Sequence, residues 1–192
     1  CQELRNELPG KDFATVVTQV KVDPEDKAFE DPEKFVGPVY EKDEAHKLAE
    51  ERGWSIKSDG NTGWWRRVVP SPYPAGIVEL PAIKALCDSG VITIACGGGG
   101  VPVMEQDGKL TGIEAVIDKD RCGALLAADM GADGYVICTD GGGGVMPNFG
   151  EPGAKEMKRV GLSKLREFTF PNGSMGPKVE AACSFVEKNG GW

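Results

Sequence analysis

Two lysine–aspartate neighbourhoods and two runs of glycine hold the residues that could do chemistry in this sequence. Glu114-Ala-Val-Ile-Asp118-Lys119-Asp120 sets carboxylates on both sides of one ammonium group. An aspartate beside a lysine can aim the ammonium at a phosphate, and Asp118 can equally cap a helix whose N-terminus favours anions. Pro171-Asn-Gly-Ser-Met-Gly-Pro-Lys178 reads as a tight turn with Lys178 in the first turn of the next helix. A cation there opposes the helix dipole. It is either a solvated surface lysine or a partner for an anion shared with the helix N–H groups. Gly97 to Gly100 and Gly141 to Gly144 each follow an apolar run. Without Cβ atoms, successive N–H groups can close on a bulky anion; the alternative is two flexible loops. Neither run is a G-x-x-x-x-G-K-[ST] loop, and neither is a G-x-G-x-x-G turn leading to a helix and a ribose-binding acid. The single histidine, His46, lies in a charged helical stretch and reads as solvated, which leaves no His-rich metal site. The chemistry predicted is therefore phosphate binding by lysine and backbone.

The elements that must position these residues alternate between strand-like and helix-like segments, as in an α/β fold with a largely parallel sheet. Ala14 to Val22 is β-branched and reads as one strand. Asp23 to Val39 is an irregular excursion rich in proline and charge. Glu41 to Arg52 is a polar helix closed by Gly53, and Trp54 to Val69 is a small β-rich flap. Pro70-Ser-Pro-Tyr-Pro74 is a stiff connector. A helix over Pro81 to Ser89 precedes Val91 to Cys96, an apolar strand expected to be covered on both faces. Val101 to Glu105 and Leu110 to Ile117 flank Gln106-Asp-Gly-Lys109 as a hairpin. A helix over 119–130, a second buried strand over Gly134 to Cys138 and a last helix over 176–188 complete the pattern.

Composition narrows the class. The 192 residues carry 30 acidic and 22 basic side chains, a formal charge of −8, with no basic patch for nucleic acid beyond Arg66-Arg67. No apolar run reaches the roughly 18 residues of a membrane span, and no signal sequence opens the chain. Six cysteines form no C-x-x-C pair, and several inside apolar stretches read as small buried core residues in a reduced cytosol. The 27 glycines are roughly twice average usage, and the two runs hold much of the excess. A start at Cys1 inside a helix and an end at Trp192 directly after one read as a fragment.

VVTQVKVDPEDKAF, DPEKFVGPVY, WRRVVPSP, ACGGGGVPV, GIEAVIDKD, TD, NFG and GSMGPKVEAA, in this order, resemble the carbamate kinases of the amino-acid kinase superfamily. The resemblance runs from about Ala14 to the last residue. It implies a three-layer αβα sandwich with a mostly parallel central sheet and a small protruding subdomain. Residues 1–192 would then be a partial kinase domain, with the protruding subdomain at 23–74 and a nucleotide-binding half at 75–192. It implies reversible phosphoryl transfer between ATP and carbamate, giving carbamoyl phosphate and ADP with Mg²⁺, in the cytoplasm, in arginine catabolism, by a homodimer. No protein-borne metal site, nucleic acid or membrane is implied.

By the same resemblance Lys178, Lys119, Asp120 and Lys34 are catalytic: Lys178 and Lys119 stabilise the transferring phosphoryl group, Asp120 organises the lysines, and Lys34 reaches the site from the protruding subdomain. Gly97, Gly98, Gly99, Gly100 and Asp118 face the phosphoryl acceptor. Thr139, Asp140, Gly141, Ser174, Met175, Gly176 and Lys178 belong to the nucleotide side. Phosphoryl transfer needs position and positive charge more than a covalent nucleophile, so a catalytic histidine is not required. The chain departs from the family's T-D-V-D-G-V-Y at Thr139-Asp-Gly-Gly-Gly-Gly-Val145, where glycines replace a lining side chain and an acid of the adenine pocket. The Trp64-Trp65 pair lengthens the flap by one residue. The family's opening segment, with its Gly-Gly-Asn phosphate loop, has no counterpart before Cys1. Two other readings remain: an amino-acid kinase with another carboxylate acceptor, such as glutamate, and a non-catalytic nucleotide-binding module.

Overall fold

A computed structural model describes residues 1–139, 144–171 and 175–192. In chain order the elements are α1 (Gln2–Glu7), β1 (Phe13–Thr15), β2 (Gln19–Val22), β3 (Lys34–Tyr40), α2 (Lys42–Arg52), β4 (Ser55–Ser58), β5 (Trp65–Val69) and β6 (Pro74–Ile77). They continue with α3 (Leu80–Asp88), β7 (Ile92–Ile94), β8 (Val101–Gln106), β9 (Lys109–Gly112), α4 (Lys119–Met130), α5 (Leu162–Leu165) and α6 (Met175–Asn189). The chain divides into two compact units, one built from 1–14, 80–93 and 119–192, the other from 15–79 and 94–118.

The second unit is β-rich. Its four-stranded sheet runs in the order β6-β2-β8-β9, with β2 and β8 parallel and the outer pairs antiparallel. Val20 and Val22 alternate with Gln19 and Lys21 along β2. A strand's period of two therefore sends the valines to one face, where Val20 stands in register with the buried Ile77 of β6. On the other face Lys21 pairs with Glu105 of β8. The hairpin predicted at 106–109 is present, with Asp107 and Gly108 both at positive φ, 52° and 73°. That is the backbone of a type I′ turn, whose twist matches the strands it joins. A second, three-stranded antiparallel sheet, β3-β5-β4, carries α2. The polar helix α2 buries Ala45 and ends on Gly53 in the left-handed conformation, as its sequence predicts.

The first unit is mainly helical. Ala124 of α4 and Ala181 and Phe185 of α6 form one buried cluster, and Leu165, Val179 and Cys183 form another. Small residues at the first contact let the two helices approach closely.

Two strand expectations are corrected. Val91 to Cys96 does not form a strand covered on both faces: β7 spans three residues, pairs among the described residues with β1, and leaves Ile92 and Ile94 40% and 36% exposed. Gly134 to Cys138 forms no strand of a sheet among the described residues, and Val136 is 68% exposed. A strand requires a partner's backbone. Here the Tyr135 N–H instead donates to the carbonyl of Trp192, 2.9 Å away. The strand predicted over Ala14 to Val22 is broken in two at residues 16–18.

Candidate active site

That break is the first positioning device of the second unit. The Thr18 hydroxyl accepts the Cys96 N–H at 2.8 Å and donates to the Val16 carbonyl at 2.9 Å. The Thr18 carbonyl accepts the Val101 N–H at 2.8 Å. One buried threonine thus grips both ends of the Gly97–Gly100 loop, between Cys96 at φ 62° and Val101. Sequence reasoning missed it, because a threonine inside a β-branched run carries no mark of its role.

The glycines of this loop are not equivalent. A Cβ on Gly99, whose φ is +129°, would lie 2.1 Å from the carbonyl oxygen of Ile117. A Cβ on Gly100 would lie 2.4 Å from a Val20 methyl. At Gly98 nothing stands within 4 Å. The second half of the run therefore lets the loop settle on Ile117 and β2, whereas Gly97 and Gly98 are exposed. Ile117 leads directly to Asp118, a 7% exposed carboxylate that accepts the Lys34 ammonium at 2.9 Å. Lys34 opens β3, where its register with Val69 of β5 is set by the sheet. A cleft of about 490 Å³ in the same unit is lined by Val36, Val69, Val101 and Pro102 and by the Arg67–Glu114 ion pair.

The first unit holds the second constellation. Asp120, 6% exposed in the first turn of α4, receives two ammonium groups on the same oxygen. Lys178 of α6 lies 2.9 Å from Oδ2 and Lys119 lies 3.3 Å from it. Next to this pair, Arg121 grips Glu180 with two N–H groups at 2.7 and 3.2 Å, tying α4 to α6 one residue beyond Asp120 and two beyond Lys178. Lys178 is thus an ion-paired lysine whose orientation is set by Asp120, which answers the unfavourable dipole of its own helix. Two ammonium groups fixed on one carboxylate oxygen are an arrangement that an anionic group such as a phosphoryl can approach.

The remaining predicted residues are placed as follows. Met175 packs against the Leu165–Val179–Cys183 cluster. Gly176 donates its N–H to the Pro171 carbonyl at 2.9 Å, and a Cβ there would meet that oxygen at 2.9 Å. Thr139 is exposed, directly after Cys138. Asp140, Gly141 and Ser174 lie outside the described residues. His46 is exposed on α2, hydrogen-bonded to the Lys42 carbonyl and set against the Trp65 ring.

Comparison with known proteins adds to this geometry. A model described as "Amino acid kinase family" matches residues 40–191. The chain is 50% identical to the carbamate kinase of Rhizobium meliloti, over 98% of its own length and 59% of that protein's. It is also 50% identical to the carbamate kinase of Thermococcus kodakarensis, over 98% of itself and 60% of the relative. The chain spans about three fifths of the length of these curated relatives. Among solved structures, carbamate kinase from Giardia lamblia bound to AMP-PNP matches with a TM-score of 0.86 at 37% identity, covering 99% of this chain and 61% of that one. A crystal structure from Aeropyrum pernix K1 matches with a TM-score of 0.87 at 44% identity, over 99% of this chain and 62% of that one. The α/β fold class predicted from the sequence is that of these neighbours.

Proposed function

Because the chain belongs to the amino acid kinase family, we propose that the full-length protein containing it is a carbamate kinase, which transfers a phosphoryl group reversibly between ATP and carbamate. In this reading the bond from phosphorus to ADP oxygen breaks as the bond to a carbamate oxygen forms, and the reverse reaction makes ATP from carbamoyl phosphate. The observation that carries it is the single Asp120 oxygen shared by Lys119 and Lys178. Charge spreads over the equatorial oxygens of the phosphoryl group in the transition state, and fixed ammonium groups stabilise it without reorganising. Asp120 holds both lysines in place beforehand. Lys178 carries the larger share, because its ammonium is the less exposed of the two.

Lys34, Asp118 and Gly97 to Gly100 are assigned to the acceptor side, and Thr139, Asp140, Gly141, Ser174, Met175 and Gly176 to the nucleotide side. For Met175 the reading concerns its backbone at the start of α6, since its side chain packs in an apolar cluster. Residues 23–74 are assigned as the protruding subdomain and 75–192 as the nucleotide-binding half. Among the described residues no three His, Cys, Asp or Glu side chains are grouped to hold a metal ion. Mg²⁺ enters this reading only as the ion that accompanies ATP and ADP in the family, with no residue assigned to it. No helix among the described residues is long and apolar enough to cross a membrane. A cytoplasmic homodimer acting in arginine breakdown completes the reading, by analogy with the family.

A coupled assay of ATP formation from carbamoyl phosphate and ADP, on the full-length protein, tests it. Lys178→Ala should lower kcat by about 10²–10³, the usual effect of removing one preorganised charge stabiliser. A Lys178→Ala protein with near-normal turnover would overturn the assignment.

A further inference from the structure

Gly123 lies inside α4, where a glycine is about 1 kcal/mol less favourable than alanine. The reason for it is on the neighbouring segment. A Cβ at position 123 would lie 2.5 Å from the Tyr135 hydroxyl oxygen and 3.1 Å from two of its ring carbons. The gap left by Gly123 lets the tyrosine ring cross the helix, and its hydroxyl then donates to the backbone carbonyl of Asp120 at 2.9 Å. The far side of the ring leans on Phe185 of α6, with centroids 5.9 Å apart. Phe185 is fully buried and cannot yield. The tyrosine therefore spans from the core of α6, the helix that carries Lys178, to the turn of α4 that carries Asp120.

We propose that Tyr135 is a positioning residue: its hydroxyl holds the first turn of α4 at the depth where the Asp120 carboxylate meets Lys178. The inference rests on the catalytic reading of the Asp120 cluster. A ring that merely filled space would have no need of a polar tip, and Gly123 is spent on accommodating that tip. A hydroxyl that sets the turn should act on the chemical step, because in that reading Asp120 aims the lysines at the transferring group.

Steady-state kinetics of Tyr135→Phe, Gly123→Ala and the double variant in the full-length protein test this, with rates normalised to the folded fraction measured by circular dichroism. Tyr135→Phe keeps the ring and its packing; kcat should fall about five- to tenfold, the equivalent of one hydrogen bond. KM for ADP and for carbamoyl phosphate should stay within about twofold, since uniform binding is untouched. Gly123→Ala, which keeps the hydroxyl but displaces it, should lower kcat in the same way. The double variant should be no worse than the poorer single one, because both act through one contact. Unchanged kcat per folded molecule in Tyr135→Phe, or losses that multiply in the double variant, would overturn the proposal. If Tyr135→Phe does not fold, an unchanged kcat in Gly123→Ala overturns it equally. Loss of activity in Lys178→Ala alongside a normal Tyr135→Phe would refute this inference alone. Normal activity in Lys178→Ala would refute the underlying reading of the cluster.

Discussion

Replacing Gly99 by alanine should damage this protein where replacing Gly98 does not. The alanine Cβ at 99 would sit 2.1 Å from the Ile117 carbonyl oxygen, and an ordinary carbon–oxygen approach is about 3.3 Å, so one of the two must retreat by roughly 1.2 Å. Residue 99 also has φ +129°, a conformation that costs an L-residue on the order of 1–3 kcal/mol. Overpacking adds about 1–3 kcal/mol more, for a total near 2–6 kcal/mol. At about 2–4 °C per kcal/mol for a chain of this size, the melting temperature should drop by roughly 5–20 °C. Gly98→Ala meets no atom within 4 Å and should stay within about 0.5 kcal/mol of the parent. Thermal and urea unfolding followed by circular dichroism, on the full-length protein, compares the two. The consequence continues along the chain, because retreat of Ile117 draws Asp118 away from Lys34. Equal stability of Gly98→Ala and Gly99→Ala would refute the claim that this loop is seated on Ile117.

Three further outcomes are expected. Arg121→Ala and Glu180→Ala should each cost about 0.5–1 kcal/mol of unfolding free energy, the pair being partly exposed, with a coupling term in a double-mutant cycle and partial rescue by the charge-swapped pair; strictly additive losses would show that the two do not tie α4 to α6. Burial pushes the Cys183 thiol up, against a smaller opposing pull from Arg166. The folded protein thus keeps this proton where the unfolded chain has released it, and stability should decline as pH rises through the ordinary thiol range. Iodoacetamide near neutral pH should modify the exposed Cys87 and Cys138 well before Cys183. Equally fast labelling of Cys183 would contradict its burial.

Much of this arrangement was legible in the residues themselves. The hairpin at Asp107-Gly108, the helix over 119–130 and the stop at Gly53 follow from turn chemistry and local backbone preference, which act over a few residues and leave plain marks. Lys119 and Lys178 stood out because a cation in a helix's first turn opposes the dipole, and the aspartates because they flank one of those lysines. Their partners were not legible. Lys178 lies 58 residues beyond Asp120 in the chain, and only the packing of α4 on α6 brings the ammonium to the carboxylate. Thr18 reads as one more β-branched residue until the return of Cys96 and Val101 uses its hydroxyl and carbonyl. The apolar runs at 91–96 and 134–138 advertise burial, but burial depends on neighbours contributed from elsewhere, and here those runs stay largely uncovered. Most telling is the run Gly97 to Gly100. The sequence by itself determined that this stretch lacks side chains and follows an apolar segment, since composition is a local property. Only the tertiary structure decided that Gly99 and Gly100 make room for the chain's own Ile117 and Val20 while Gly98 meets no neighbouring atom, because what a missing Cβ makes room for is a property of the atoms packed against it.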